Sequence, residues 1–369
     1  MSGVATDRAT DRLDRLRLIR TLGVGPVTYR QLLARFGTPA AALDALPDLA
    51  RRGGGRPVVP DAATAAREVE TVARLGARHL FLDDADYPSL LAQLDDAPAV
   101  VTVRGDPTLA ARPAVAMVGA RNASAAACRF ARALAHDLAA RGATVVSGLA
   151  RGIDSAAHHG AMPATVAVIA GGIDVVYPPE NAALQDRIAA DGLLVAEMPP
   201  GVEPRARHFP HRNRIIAGLS LGTLVVEAAP RSGSLITARL AGEAGREVMA
   251  VPGHPSDPRA AGCNGLIRDG ATLVQDADDV MELLRPIDPR AVRAPAARWD
   301  AGPPQDATDA ERRRLAALLG AVPVPVDELV RQSGLAPSAV QIVLLELELA
   351  GRLERHAGGR VSLHEGNDR

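Results

Sequence analysis

The amino-acid sequence predicts an α/β protein built on a doubly wound, parallel sheet. Three observations favour this fold class: six apolar runs of strand length, amphipathic segments of helical length between them, and a regular alternation of the two from about residue 113 to 284. Runs that are apolar throughout are typical of strands buried on both faces. Such sheets bind their ligands at the carboxyl ends of the strands, where loops open the next helix.

Each of the first five predicted strands is followed by a predicted helix. We expect strands at 114–118, 144–147, 165–170, 193–197, 223–228 and 247–251. We expect helices at 123–141, 153–161, 181–190, 213–219 and 235–245. Alternation at this spacing is what parallel βαβ units require.

Shifts in composition divide the chain of 369 residues into four segments. Residues 1–75 predict an N-terminal helical domain, and residues 76–285 the α/β domain, which opens with short apolar strands near 79–104. Residues 286–306 are rich in Pro and Ala and predict a linker. Residues 307–369 predict a small tail domain.

All 42 basic residues are arginine, and the sequence contains no lysine. A Walker A loop needs its lysine on the nucleotide phosphates and pyridoxal-phosphate enzymes need a lysine amine, so both classes are excluded. The bias is typical of a GC-rich genome, but it also suits bidentate recognition of phosphate, and composition does not separate the two. Because the formal net charge is −1, a site for a polyanion has to be a local cluster of charge.

Several other classes are disfavoured. Cys128 and Cys263 fit no metal or redox spacing, no apolar signal segment opens the sequence, and the weakly polar stretch at 162–176 is too short to span a bilayer. We therefore expect a cytoplasmic protein with no membrane partner. No G-x-G-x-x-G follows the first strand, which argues against NAD or FAD, and we expect no cofactor and no metal. His158 and His159 are adjacent on a helix and point to different faces, so we expect packing or polar contacts from them.

Two strand ends carry groups that suit phosphate. The first strand ends in Val118-Gly119-Ala120-Arg121, where the glycine lets the backbone approach a phosphate and the arginine stands beside a helix N-terminus. The fifth strand is followed by Ser232, Gly233 and Ser234 at the start of a helix. This triplet predicts a phosphate cradle without lysine, or simply a helix N-cap.

The segment between Glu203 and Glu227 contains no acidic residue. Arginine forks match phosphate geometry, and an aromatic ring stacks on a base for roughly 1–3 kcal/mol. The segment therefore predicts a basic pocket with a stacking face; the alternative is a solvated loop, although such loops usually mix charges of both signs. The residues that suggest the pocket are Arg205, Arg207, His208, Phe209, His211, Arg212, Asn213 and Arg214.

The order of these motifs resembles the DNA-processing protein A (DprA/Smf) family. The similarity covers about 170 residues and rests on VGAR, SGLARGID, AGGIDVVYPPEN, AEMPPG, FPHRNRIIAGLS and RSGSLITARLA. It implies an extended Rossmann-like, mostly parallel domain that binds single-stranded DNA without sequence preference and forms a homodimer. It also implies protection of incoming DNA and loading of the RecA recombinase in natural transformation and recombination, with no catalytic activity.

The resemblance also implies which residues bind DNA. One position departs from the family, because its members often carry lysine where this chain has Pro179, so we do not expect Pro179 to contact DNA. Arg205 and Arg207 replace lysines that precede the Phe-Pro pair. The expected nucleic-acid contacts are Arg121, Arg205, Arg207, His208, Phe209, Arg212, Asn213, Arg214, Ser232, Gly233 and Ser234.

Both flanking domains resemble known modules. Residues 22–26, Leu-Gly-Val-Gly-Pro, precede a helix as in helix-hairpin-helix or SAM-like domains, and either contact with a DNA backbone or a packing role is possible. The tail predicts three helices and two strands joined at Gly358-Gly359, the layout of a winged helix. Its would-be recognition helix, 338–350, carries Glu346 and Glu348 and no arginine, so we expect it to bind protein rather than duplex DNA.

Two other functions fit parts of the sequence. A nucleotide N-glycosidase resembling the cytokinin-activating phosphoribohydrolases would use Glu227 as its acid, but the P-G-G-x-G-T loop of those enzymes is absent. A winged-helix transcription factor is disfavoured by the acidic recognition helix.

Overall fold

A computed structural model describes residues 2–284, 306–356 and 358–364 of the chain, with side chains from residue 10 onward. The predicted linker at 286–306 lies outside the described residues, apart from Asp306. The described residues form two compact units. One, the terminal unit, contains residues 2–66 and 306–364, and the other, the central unit, contains residues 67–284.

The N-terminal part of the chain is helical, as the sequence predicts. Three helices from this part of the chain belong to the terminal unit: α1 Ser2–Arg20, α2 Pro26–Phe36 and α3 Pro39–Arg52. The N-terminus of α2 follows Gly25 and begins with Pro26, whose missing N–H costs nothing in a first turn. A fourth helix, α4 Ala62–Arg74, leads the chain into the central unit.

A nine-stranded sheet forms the middle of the central unit. Its strands are β1 Arg78–Phe81, β2 Val100–Gly105, β3 Ala114–Val118, β4 Thr144–Ser147, β5 Thr165–Gly172, β6 Leu193–Met198, β7 Gly222–Val225, β8 Glu247–Ala250 and β9 Thr272–Leu273. They lie in the order β1-β2-β6-β5-β4-β3-β7-β8-β9. The pairs β1–β2 and β2–β6 are antiparallel and every other pair is parallel, so the predicted doubly wound, mostly parallel sheet is confirmed.

Helices cover both faces of this sheet. They are α5 Ser89–Ala92, α6 Ala125–Ala140, α7 Ile153–Ala161, α8 Ala182–Asp191, α9 His208–Gly218, α10 Gly233–Glu243, α11 Ala261–Arg268 and α12 Ala277–Leu283. Alternate residues of β3 pack into different apolar clusters, with Ala116 in one and Val115 and Met117 in the other, as burial on both faces requires. Helix α9 begins five residues before the predicted start at 213, and Pro210 fits there because a first turn needs no N–H at that position.

The direction of winding reverses between β3 and β7. From β3 the chain proceeds through β4, β5 and β6 on one side, and then continues through β7, β8 and β9 on the other. Loops that follow strands next to such a reversal diverge and leave a crevice at the carboxyl edge of the sheet. The described helices include none that is long and apolar enough to cross a membrane.

The tail has the predicted layout of a winged helix. Helices α13 Asp309–Ala316, α14 Val326–Ser333 and α15 Pro337–Leu349 precede a small antiparallel sheet. That sheet has the order β10-β12-β11, with β10 Val324–Pro325, β11 Leu353–His356 and β12 Arg360–Leu363. Strand β10 is only two residues long and was not predicted.

Candidate nucleic-acid interface

A pocket of about 200 Å³ opens at the carboxyl ends of the central strands, beside the first turn of α9. Its walls come from the turn after β3, the loops after β4 and β5, and α9 itself. The lining residues are Arg121, Gly148, Leu149, Ala150, Arg151, Ile169, Ala170, Tyr177, Pro178, Pro179, Glu180, Phe209 and Arg212. This is the edge at which a doubly wound sheet binds ligands.

Phe209 lies at the centre of an aromatic and cationic cluster. The guanidinium carbon of Arg121 is 5.2 Å from the centroid of its ring, and that of Arg212 is 6.0 Å away. The ring of Tyr177 is tilted by 56° against it, with 5.6 Å between the centroids. Each cation–π contact contributes about 0.5–1 kcal/mol when exposed and more when it is desolvated. The cluster therefore places two cations beside two rings, and Tyr177 remains 46% exposed.

Arg212 is buried, and its guanidinium has no acceptor among the residues that the structure describes. Only 7% of it is exposed, its Nε has no hydrogen-bond partner, and it forms no ion pair with any described residue. Burial lowers its pKa to about 10; Asp154 opposes this decrease and the neighbouring Arg121 adds to it. A buried guanidinium without acceptors is costly, because its desolvation is not offset by hydrogen bonds. A bound anion in the pocket would supply the missing acceptors.

Asp154 holds the loop that forms one wall of the pocket. Its Oδ2 accepts hydrogen bonds from the backbone N–H groups of Gly148, at 3.2 Å, and Ala150, at 3.3 Å. Burial raises the pKa of this carboxyl, and the charge of Arg212 and the two N–H groups oppose the increase. Asp154 thus fixes the backbone beside Arg212, and its negative charge favours the charged form of that guanidinium.

The turn after β3 presents Arg121 to solvent. Ser124 caps α6, and its N–H and hydroxyl donate to the carboxylate of Glu227 at 2.9 and 2.7 Å. The backbone N–H of Ala120 donates to the Glu227 carbonyl at 2.7 Å. Glu227 is only 8% exposed and is therefore engaged in holding this turn in place.

Only two residues of the acid-free segment line the pocket, Phe209 and Arg212. Arg205 and Arg207 are exposed in the loop before α9 and do not line it. His208 is buried, and its pKa is lowered by burial, by Arg207 and Arg205 and by His211. The lowered pKa favours the neutral form of His208, which carries no charge towards a phosphate.

Arg214 differs from the sequence-based expectation. It does not line the pocket, and its guanidinium forms an ion pair with Glu197 and donates to the Asp96 carbonyl at 2.6 Å. Only 7% of Arg214 is exposed, so these partners use its donors inside the unit. The DNA contact of Arg214 stays a prediction, and the buried ion pair points to a structural role instead.

The Ser-Gly-Ser element forms an N-cap rather than a wall of the pocket. Ser232 caps α10, its hydroxyl is 2.8 Å from that of Ser234, and neither lines the pocket. Asn213 of α9 donates to the carbonyl of Gly233 at 3.5 Å, which ties this element to the helix that carries Arg212. Gly233 is exposed and Ser232 is half-buried.

Of the thirteen lining residues, ten were not among the predicted contacts, Gly148, Arg151 and Tyr177 among them. Asp154, which holds the wall of the pocket, was not predicted either. Pro179 lines the pocket, although we expected no DNA contact from it. Two features of the sequence could have identified Tyr177. The chain has only three tyrosines, and this one lies just after a strand end.

The adjacent histidines behave as predicted. His158 is fully buried, and its Nδ1 lies 2.7 Å from the hydroxyl of Thr165. Burial, together with the neighbouring His159 and Arg212, lowers its pKa to about 3. His159 is exposed on the other side of α7, so the two histidines do not share a site.

Comparison with protein families gives a match in each part of the chain. The protein family described as DNA recombination-mediator protein A matches residues 78–285. A DprA-like N-terminal HHH domain matches residues 9–71, and a DprA winged helix domain matches residues 300–359.

Curated relatives extend over most of the chain. A putative DNA processing protein DprA of Mycobacterium tuberculosis is 39% identical over 333 residues, covering 84% of this chain and 82% of its own. Protein Smf of Escherichia coli is 40% identical over 290 residues, covering 77% of both chains.

Two solved structures are similar to this chain. DNA processing protein A of Streptococcus pneumoniae matches with a TM-score of 0.58 and 38% identity, over 66% of this chain and 82% of its own. That of Helicobacter pylori, studied for its single-stranded DNA binding mode, matches with a TM-score of 0.51 and 29% identity, over 56% and 95%. The chain belongs to the family of DNA recombination-mediator protein A.

Proposed function

We propose that the pocket binds single-stranded DNA without sequence preference. The observation that carries this proposal is Arg212, a buried cation without an acceptor that faces a pocket lined by two aromatic rings. Phosphates supply acceptors in every sequence, and every base has a face that stacks on an aromatic ring. The single-stranded DNA binding described for the Helicobacter pylori relative supports the same ligand.

Within this proposal each residue has a separate task. Arg212 binds a phosphate at the base of the pocket, and the exposed Arg121 binds the same or the next phosphate from the rim. Phe209 and Tyr177 stack on a base, and the Ser232–Ser234 element, with Asn213, contacts the strand where it leaves the pocket. Arg205 and Arg207 attract the strand from the exposed loop without fixing its geometry.

The wider role that we propose follows the family. The chain binds incoming single strands in the cytoplasm, protects them and loads RecA recombinase during natural transformation and recombination. It does so as a homodimer formed through the central unit. The description of the family as a recombination mediator supports this role.

Titration of fluorescent oligonucleotides tests the binding proposal. Single strands should bind more tightly than duplexes, and log K should decrease with log salt by about 0.7 for each phosphate contacted. Arg212→Lys keeps the charge but removes the planar fork, and it should weaken binding of all single strands alike. Arg268→Gln is the matched control, because Arg268 is 83% exposed and outside the pocket. Equal affinities for wild type, Arg212→Lys and Arg268→Gln would contradict the proposal.

Two further measurements test the wider role. Sedimentation equilibrium of the purified chain should give a dimer. RecA should coat single strands after a shorter lag when the chain is bound to them. The Arg212→Lys variant should not shorten this lag.

No specific observation favours the alternative N-glycosidase. Its candidate acid, Glu227, is buried and accepts two hydrogen bonds from Ser124. Release of free base from nucleoside monophosphates would be the result that supports it.

A further inference from the structure

Helix α15, the would-be recognition helix, is covered within the terminal unit. Of its residues only Pro337 and Ser338 are exposed. One side packs into the core of the tail, where Leu344 and Leu347 belong to the same apolar cluster as Leu329. The other side packs against α3 and the turns of the N-terminal helices.

Two glycine turns press directly on the backbone at the end of α15. A Cβ at Gly23 would lie 2.7 Å from the carbonyl oxygen of Glu348, and one at Gly55 would lie 2.6 Å from the Cα of Ala350. Real Cβ atoms do not approach so closely, so this contact depends on glycine at both turns. The hairpin that could hold a DNA backbone is thus occupied by the protein itself.

A carboxylate lies at the start of α2. The hydroxyl of Thr28 donates to Oε2 of Glu348 at 2.5 Å, and Oε1 lies 3.8 Å from the Cβ position of Gly25, the N-cap. No side chain caps α2, so the first N–H groups of this 11-residue helix have no intrahelical acceptor. Phosphates bind at helix starts of this kind, and here the carboxylate of Glu348 lies beside the first turn, bound to the Thr28 hydroxyl.

Further carboxylates neutralise a cluster of arginines beside this contact. Glu346, which is 1% exposed, accepts two hydrogen bonds from Arg312 at 2.7 and 2.8 Å. Asp306 accepts from Arg35 and Arg52, and Glu348 accepts from Arg355 at 2.8 Å. Nη1 of Arg35 and Nη2 of Arg355 are buried and still have no acceptor, so the cluster has donors for more anion than it holds.

We propose that this contact is autoinhibitory, with Glu346, Glu348 and Asp306 occupying the positions of DNA phosphates. In the closed terminal unit neither the hairpin nor α15 can contact nucleic acid. Separation of α15 from α2 and α3 would expose the start of α2 and the four arginines to the phosphodiester backbone of a duplex. This binding is distinct from that of the pocket in the central unit.

Glu348→Gln tests the proposal, because it removes the charge of the phosphate substitute and keeps a side chain of the same size. Duplex affinity should increase about tenfold, as one charge-assisted contact passes from the carboxylate to the DNA. The increase should persist when Arg212→Lys weakens the central pocket. Amide exchange in residues 337–349 should accelerate on addition of duplex. Glu354→Gln is the matched control, since Glu354 is an exposed carboxylate on β11 of the same unit.

Asp306→Asn provides a second variant that the fold should tolerate, because the side chain of Asp306 is 46% exposed. It frees Arg35 and Arg52, so it should also tighten duplex binding. Unchanged duplex affinity in both variants, with melting curves that show a folded terminal unit, would overturn the proposal. So would faster exchange in 337–349 without tighter binding, because the contact would then only hold the unit together.

Discussion

The guanidinium of Arg212 occupies the space that a side chain at Gly148 would need. A Cβ built on Gly148 would overlap with Nη1 of Arg212, although the two residues are 64 positions apart in the chain. The absence of a side chain on one strand-end loop therefore fixes where the buried cation of the pocket lies.

We expect Gly148→Ala to displace Arg212 and to weaken single-strand binding by roughly tenfold or more, the value of a charge-assisted hydrogen bond. Fluorescence polarisation with short oligonucleotides measures this loss. Gly265→Ala is the control, because no atom lies within 4 Å of its Cβ position and it is helical. If the Gly148→Ala variant bound single strands as tightly as wild type, the position of Arg212 would not matter for binding.

Tyr177 and Phe209 should contribute to binding together. Each alanine substitution should cost about 1–3 kcal/mol of binding free energy if the ring stacks on a base. Because the rings are in contact, the double variant should lose less than the sum, by about 0.5–1.5 kcal/mol. A double-mutant cycle on single-strand affinity measures this coupling, and strict additivity would mean that the rings act at separate places.

Arg214→Gln should affect stability rather than DNA affinity. It removes the ion pair between Arg214 and Glu197 in a largely buried place, which costs about 3 kcal/mol, or roughly 6–12 °C in Tm for a unit of this size. Glu197→Gln in the same chain should restore part of the loss. Differential scanning calorimetry gives Tm, and a titration at 15 °C should show unchanged single-strand affinity. Weaker binding at full stability would return Arg214 to the DNA contacts.

His158 should make the central unit less stable in acid. Its pKa is lowered to about 3 in the folded chain, so the unfolded chain binds more protons between that value and about 6.5. Its contribution to stability is complete above pH 6.5 and is lost as the pH decreases towards 3, by about 2 kcal/mol between pH 7 and 5. His158→Gln should flatten the decrease of Tm over that interval, and parallel curves for the two proteins would contradict this assignment.

The sequence predicts the sheet well because buried parallel strands are short apolar runs, and β3, β4 and β5 lie within two residues of their expected bounds. It does not predict which arginines face the pocket, because that depends on where α9 begins. Arg212 and Arg214 are two positions apart on this helix and hence point to different sides, one to the pocket and the other to Glu197. With the helix predicted to start at 213, Arg214 lay in its first turn and Arg212 was assigned to the loop before it.

Tyr177 and Asp154 were missed for a different reason. Both lie in loops that follow different strands, and the local sequence does not predict which of these loops contact each other. The sequence likewise does not predict that the N-terminal helices pack on α15, since Thr28 and Glu348, which meet there, are 320 positions apart in the chain.

The terminal unit is built from residues on both sides of the central unit in the sequence, so it cannot fold completely until both parts have been synthesised. The helices α1–α3 leave the ribosome before the central unit, but α15, against which they pack, is made only after it. The central unit can complete its own sheet in the meantime, because domains fold as units during translation. We therefore expect ribosome-bound chains that stop at residue 330, before α15, to resist protease in the central unit while α2 and α3 are still cleaved.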